Sequence, residues 1–291
     1  MFAAAREAPE RLALVEPGRA WSYAELALLC RQALGWLCAK GVAPSDSAPD
    51  VVAVLAEPTP HQIAMTFAVM AAGVPCLPVH PRLTEPERTA LLDQAGATLL
   101  VDAAWQHDPT SPAAPEPPQL VRGRAGEALL ALVQTSGTTA DPRLAMLSRR
   151  AFQASAAANA AHLGWTDDDR WLLALPFAHI GGLSILTRCL AARRTVALAG
   201  LPPGAVAGQS AALVADRMNG LGATLLSLVP TQLEQLLELG TWSAPSSLRA
   251  VLVGGAAVSE ATLERARARG LPVLPTYGMT ETCSQICTRA V

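Results

Sequence analysis

Val133-Gln134-Thr135-Ser136-Gly137-Thr138-Thr139-Ala140-Asp141-Pro142-Arg143 is the stretch on which the fold and the chemistry of this chain turn. An apolar run, residues 128–133, leads into it. Four hydroxyl residues then surround Gly137, and a cation, Arg143, follows. A strand ending in a small hydroxyl-rich loop turns free N–H groups and hydroxyls into a concavity. A cation at the lip makes that concavity a cradle for phosphate. Taken alone, such a run is an ordinary turn. The better-known glycine motifs are absent: there is no G-x-x-x-x-G-K-[ST], no G-x-G-x-x-G and no G-x-S-x-G. Walker-type loops, dinucleotide turns and serine-hydrolase elbows therefore have no support.

The flanking pattern sets that loop in an α/β chain. Ser22 is placed to cap a helix over 23–40 that Gly41 stops. Residues 51–55, 76–79 and 98–101 read as strands, and 61–72 and 85–94 as helices. Residues 107–119 hold five prolines and read as an exposed connector. Beyond the loop, a helix over 148–163 precedes a strand over 171–175, a helix over 182–192 and a strand over 195–198. A Pro/Gly loop over 201–208 follows. Helices over 210–219, 231–239 and 260–268 then alternate with strands over 224–229, 248–253 and 271–274. Alternation of this kind argues for parallel sheet with right-handed crossovers. Ligands in such sheets bind beyond the carboxyl ends of strands. Both the opening loop and a second stretch, Tyr277-Gly278-Met279-Thr280-Glu281-Thr282, directly follow predicted strands.

Composition narrows the class. With 291 residues, 51% of them hydrophobic and 16% charged, the chain can bury a sizeable core and is not a disordered protein. A net charge of −2 gives no global field for nucleic acid. The densest basic group, Arg265, Arg267 and Arg269, reads as a solvated helix face. The first residues carry Arg6, Glu7 and Glu10 and no apolar run, so no signal or transit peptide is expected. The longest apolar stretch, 171–186, is broken by Pro176, His179 and two glycines, so no membrane span is expected. A cytoplasmic protein is the expectation. No two of the six cysteines form C-x-x-C, and Cys283 with Cys287 makes a poor zinc site, so reduced thiols are expected.

The loop, with Pro142 and a basic residue at its end, resembles the phosphate loop of the adenylate-forming superfamily of acyl-CoA synthetases, luciferases and peptide-synthetase adenylation domains. Trp21-Ser22-Tyr23-Ala24-Glu25-Leu26 is similar to an early segment of that family. So are Val79-His80-Pro81-Arg82-Leu83-Thr84 and Pro176-Phe177-Ala178-His179-Ile180-Gly181-Gly182 to later ones. Val253-Gly254-Gly255-Ala256 resembles its adenine-side turn, and the stretch from Tyr277 its second ATP motif. The segments occur in family order along the whole chain. Residues 176–186 and the run through Ser284-Gln285-Ile286 are most similar to o-succinylbenzoate–CoA ligases of menaquinone synthesis.

The resemblance implies an α/β fold of two stacked, parallel-rich αβ subdomains that form the family's large N-terminal domain. The first spans 1–160 and ends in the phosphate loop and its helix; the second spans 161–291. It implies an ATP-dependent acid–CoA ligase that makes an acyl-adenylate and passes the acyl group to coenzyme A. The alternatives are another fatty or aryl acid–CoA ligase, or a truncated non-catalytic adenylate-binding relative. In this likeness Thr135, Ser136, Gly137, Thr138 and Thr139 hold the ATP phosphates, with Arg143 beside them. Gly254, Gly255 and Ala256 admit flat adenine, Tyr277 stacks on it, and Gly278 and Met279 complete the nucleotide site. Thr280 touches the α-phosphate, and Glu281 holds Mg²⁺. His179, Gly181, Ser284 and Gln285 face the acid, His179 also responding to the carboxylate. The other histidines, His80 among them, are expected to be structural or exposed. The expected partners are a carboxylic acid, ATP and CoA, without nucleic acid; a homo-oligomer is compatible with the sequence.

Three positions depart from the family: Ala140 and Leu144 stand for glycine, and Arg143 for lysine. A planar guanidinium does not replace an ammonium at a tight site. The sequence stops at Val291, short of the family's ribose aspartate, hinge and C-terminal domain with its lysine. The expectation is uncovered apolar sheet edges, and weak nucleotide binding and poor turnover by this chain alone.

Overall fold

The computed structural model describes residues 1–42, 50–103, 105, 114, 128–135, 143–200, 207–240 and 242–289. The chain opens with α1 (Phe2–Glu7), the hairpin β1 (Leu12–Glu16) and β2 (Arg19–Ser22), then α2 (Tyr23–Ala39). β3 (Val51–Leu55), α3 (Pro60–Ala71), β4 (Cys76–Val79), α4 (Glu85–Ala95) and β5 (Ala97–Val101) follow. β6 (Leu129–Gln134) and β7 (Leu144–Ser148) lead into α5 (Arg149–Leu163). The second half runs β8 (Arg170–Leu173), α6 (Ile180–Ala192), β9 (Thr195–Leu198), α7 (Ala207–Gly220), β10 (Leu225–Leu228), α8 (Pro230–Leu237), β11 (Ala250–Val253), α9 (Glu260–Ala268), β12 (Val273–Met279) and β13 (Ser284–Thr288).

Two sheets result, ordered β5-β3-β4-β6-β7 and β13-β12-β11-β10-β8-β9-β1-β2. Their interior pairings are parallel. β1–β2, β6–β7 and β12–β13 are antiparallel. The fold is thus the expected parallel-rich α/β. Continuous apolar runs such as β3 and β4 are buried, as strands covered on both faces must be. One apolar cluster includes Val52 and Val54 of the first sheet with Trp171, Leu173 and Ile185 of the second half, so the two layers share a core. Tyr23 fastens α2 to the second half through its hydroxyl, which donates to the carbonyls of Cys189 at 3.1 Å and Arg194 at 2.8 Å.

Several elements differ from the sequence expectation. β1 and β2 lie in the eight-stranded sheet, beside β9, although they precede the first sheet in the chain. The hydroxyl-rich loop expected to hold phosphate joins two antiparallel strands, because residues 144–148 pair back onto β6. α7 starts at Ala207, inside the stretch expected to be loop. Residues 284–288 form a strand beyond the last element read from the sequence, and Cys283 is buried while Cys287 is exposed. The proline-rich connector over 107–119 lies outside the described residues, save Ala114. No described helix is long and apolar enough to cross a membrane.

Candidate active site

Parallel pairing puts the carboxyl ends of β8, β10, β11 and β12 on one edge of the large sheet. The turns that follow β8, β11 and β12 carry Pro176 to His179, Gly254 to Ala256, and Thr280 with Glu281. In the smaller sheet the carboxyl ends of the parallel strands β4 and β6 carry His80 and Thr135. The His80 and His179 rings meet at 5.5 Å between centroids, so the two carboxyl edges face each other. A crevice between carboxyl ends is where an α/β fold binds ligands.

On the β11–β12 side there is a cleft of about 580 Å³. Gly255, Ala256, Tyr277 and Gly278 line it, with Thr276, Cys287 and Arg289. Gly254 and Gly278 are glycines because a neighbouring strand comes too close for a Cβ. A Cβ on Gly254 would collide with the Thr276 hydroxyl, and one on Gly278 with the Ser284 carbonyl. Gly255 has φ +84°, a left-handed value that L side chains resist. Tyr277 leaves 61% of its surface exposed, a flat aromatic face beside a flat glycine turn. That pairing suits a purine ring. Met279 is exposed as well. Thr282 closes the turn beyond β12, its hydroxyl accepting from the Met279 N–H at 3.0 Å, and Glu281 projects there exposed.

The hydroxyl-rich loop after β6 is described only at its neck. The Thr135 N–H donates to the Arg143 carbonyl at 2.8 Å, and Gln134 pairs with Leu144. Arg143 is exposed. Leu144 is accommodated as a strand residue that packs on the cluster containing Leu77, Val79 and Leu132. Its bulk therefore falls outside the loop. Ser136, Gly137, Thr138, Thr139 and Ala140 lie outside the described residues.

A polar cluster is built where α5, α6 and β13 meet. Close approach of α6 to the preceding turn requires Gly182, where a Cβ would strike the Pro176 carbonyl. Ser184 donates to the Gly181 carbonyl at 2.9 Å and lies 3.3 Å from the Ser284 hydroxyl. Gln285 accepts from Asn159 at 3.0 Å and from Arg188 at 3.4 Å. Ser155 accepts from Arg188 at 3.1 Å and donates to the Cys283 carbonyl at 2.8 Å. Gly181, Ser284 and Gln285 are thus brought together; His179 stands one turn away at the exposed N-cap of α6.

Arg188 is the residue that sequence reasoning missed. It is 3% exposed, and no described carboxylate pairs with it. Its Nε has no partner, and neither does the Asn159 Oδ1 beside it. Burial pulls its pKa down to about 10, so it remains a cation at neutral pH. A buried, uncompensated cation is costly unless an anion arrives. The signal was legible: one arginine amid Ile185, Leu186, Cys189 and Leu190, on a helix too apolar to leave it outside.

A metal is compatible with the donor set, although no described cluster of three or more acidic, histidine or cysteine side chains could hold one unaided. Glu281 and the neighbouring Thr280 hydroxyl offer oxygen ligands on the turn that follows β12. Oxygen donors and substrate phosphates together are the usual sphere of Mg²⁺.

Comparison with known proteins fits this geometry. A family model described as AMP-binding enzyme matches residues 1–291. The 2-succinylbenzoate–CoA ligase of Bacillus subtilis is 32% identical over 293 residues, covering 96% of this chain and 58% of that protein. The o-succinylbenzoate coenzyme A synthetase of Bacillus subtilis, solved with ATP and magnesium ion, superposes with a TM-score of 0.86 at 30% identity. That match covers 99% of this chain and 61% of the solved one. The same enzyme solved with its acyl-adenylate intermediate gives a TM-score of 0.86, over 99% and 60% of the two chains. The chain thus spans about three-fifths of the length of these relatives.

Proposed function

The chain belongs to the AMP-binding enzyme family, and on that premise we propose that it is part of an ATP-dependent acid–CoA ligase whose acid is o-succinylbenzoate. The single observation that carries the choice of acid is Arg188. The pocket wall of Arg188, Gln285, Asn159 and Ser284 asks for an anionic, hydrogen-bonding ligand, and o-succinylbenzoate has two carboxylates. One is to react, and the other finds the buried guanidinium. Fatty acids have only one. Relatives that carry the succinylbenzoate name support the same reading.

In this reading the chain divides near residue 160, with β1 and β2 crossing to the second subdomain. Gly254, Gly255, Ala256, Tyr277, Gly278 and Met279 hold adenosine. Thr135, Ser136, Gly137, Thr138 and Thr139 hold the phosphates, with Arg143 at the lip. Glu281 would hold Mg²⁺, which when bound offsets charge on the phosphates. Thr280 donates to the α-phosphate as charge grows on it. The acid carboxylate attacks the α-phosphorus, and pyrophosphate leaves on the opposite side. The CoA thiolate then attacks the acyl carbon, and AMP leaves. His179 and Gly181 border the acid, while Ser284 and Gln285 hold it in line. Catalysis here is chiefly positioning. A cytoplasmic site of action fits ATP and CoA as substrates.

The test is calorimetric titration of the chain with o-succinylbenzoate, benzoate, ATP–Mg²⁺ and an acyl-sulfamoyl adenosine. Arg188→Met is expected to weaken o-succinylbenzoate and its adenylate mimic roughly 10- to 100-fold, the worth of a charged hydrogen bond. ATP affinity should stay within about threefold, since Arg188 stands apart from the nucleotide cleft. Equal binding of the acid by wild type and variant overturns the assignment.

A further inference from the structure

We propose that His80 is a positioning residue for His179: a neutral imidazole, protonated at Nε2, that packs against the His179 ring across the crevice and keeps it uncharged. The inference rests on the acid-pocket reading of His179. It carries that reading to a second histidine, on the other sheet.

His80 directly follows β4 and is half-buried. Its Nδ1 accepts the Arg82 N–H at 3.1 Å. A nitrogen that accepts cannot carry a proton, so the neutral ring has its hydrogen on Nε2. Protonating Nδ1 would break that bond. Burial, the facing His179 and the charge of Arg82 all lower the pKa of His80 further. The ring is therefore held in one tautomer and one charge state.

That ring sits 5.5 Å from His179, at an interplanar angle of 42°. His179 is the N-cap of α6 but makes no side-chain cap bond. Its backbone is fixed, the Leu183 N–H donating to its carbonyl at 3.0 Å, while its ring lacks that anchor. His80 supplies a wall for it. Two influences disfavour a charge on His179: burial of its ring, to which the facing His80 ring contributes, and the positive end of the α6 dipole. The consequence is chemical. An imidazolium at this place would form an ion pair with the reacting carboxylate and make it a poorer nucleophile. A neutral ring can orient the carboxylate without drawing off its charge. His80 thus acts through His179, and not on the substrate.

The test uses the ligand-free chain, labelled in its five histidines, and needs neither turnover nor acid. Nitrogen shifts read the His80 tautomer, and Cε1–H shifts give each titration curve. In wild type, His80 is expected as the Nε2–H form, with His179 titrating below an ordinary histidine. His80→Phe should keep His179 low, because a ring still covers it. His80→Ala should admit water and raise its pKa by about half a pH unit. A folded His80→Ala chain with an unmoved His179 curve overturns the proposal. So does wild-type His80 found as the Nδ1–H form. If His80→Ala does not fold, the wild-type tautomer and the His80→Phe curve still decide. Failure of o-succinylbenzoate to bind would count against the ligase reading and leave these readouts intact.

Discussion

Cys283 and Ser284 hold backbone angles that favour glycine, with φ of 56° and 85°. The chain keeps side chains there all the same. The twist turns the Cys283 carbonyl towards Ser155 and brings the Ser284 hydroxyl to Ser184, while the Ser284 carbonyl crosses Gly278. Backbone strain of this kind persists where a site needs the geometry. Ser284→Gly should separate the two demands. Relief of the positive φ is expected to stabilise the chain by about 1 kcal/mol, read as a higher urea midpoint. Affinity for o-succinylbenzoate should fall at the same time, because the pocket hydroxyl is gone. A variant that loses stability, or that binds the acid as well as wild type, would show that Ser284 is a structural turn residue. Nothing in the residue types of Cys283 and Ser284 announces a positive φ, so this feature was not legible in the sequence. The glycines at 254 and 278 were, because their neighbours belong to recognisable motifs.

At the scale of elements, local signals were the readable ones. Ser22 accepts the Glu25 N–H at 3.2 Å, and the Glu25 carboxylate accepts the Ser22 N–H at 2.7 Å. That reciprocal box starts α2 where a Ser three residues before a Glu predicts it. Ser22→Ala should cost about 1 kcal/mol in urea unfolding; an unchanged midpoint would mean that Tyr23, through its bonds to the α6 end, fixes the helix start unaided. β3, β4, β9 and α9 were legible at their full bounds for the same reason: apolar runs or caps a few residues long define them. β1, β7 and β13 were not. Each is fixed by a partner strand, and nothing within residues 144–148 says that they pair back onto β6. The site follows the same divide. The cleft beside Gly255 and Tyr277 lies on motif turns that the sequence shows; the polar cluster depends on α5, α6 and β13 converging, so Asn159 and Ser155 emerged only from the fold, while Arg188 left a trace in its apolar surroundings.

Across the whole molecule, α5 is the bridge, leaving β7 of the smaller sheet and ending against the larger one. Its far end is held by Asp169 and Arg249. Arg249 donates to both Asp169 oxygens, at 2.7 and 2.6 Å, and to the carbonyls of Leu163 and Gly164 at 2.9 and 2.8 Å. Asp169 also accepts from the Thr166 N–H and the Thr224 hydroxyl. One buried carboxylate therefore joins the end of α5 to the starts of β8, β10 and β11. Burial by itself would raise its pKa, but the bonds from Arg249, Thr166 and Thr224 together outweigh it and the net shift is downward. The folded pKa is then below the unfolded value of about 3.9. The carboxylate's contribution is fully present above that unfolded value, and it is lost as pH falls through the folded one. Unfolding free energy from this group should thus be flat from neutral pH down to about 5 and decline below about 4. Asp169→Asn leaves Arg249 partly buried without its countercharge, and is expected to cost about 3–5 kcal/mol at neutral pH. It should also remove Asp169's share of the acid-side slope. Urea unfolding of both proteins between neutral pH and pH ~3 checks this, with loss of acyl-adenylate mimic binding as a second readout. If the variant matches wild type in midpoint and in acid slope, the two sheets do not depend on this junction, and the shared apolar core alone must hold the crevice together.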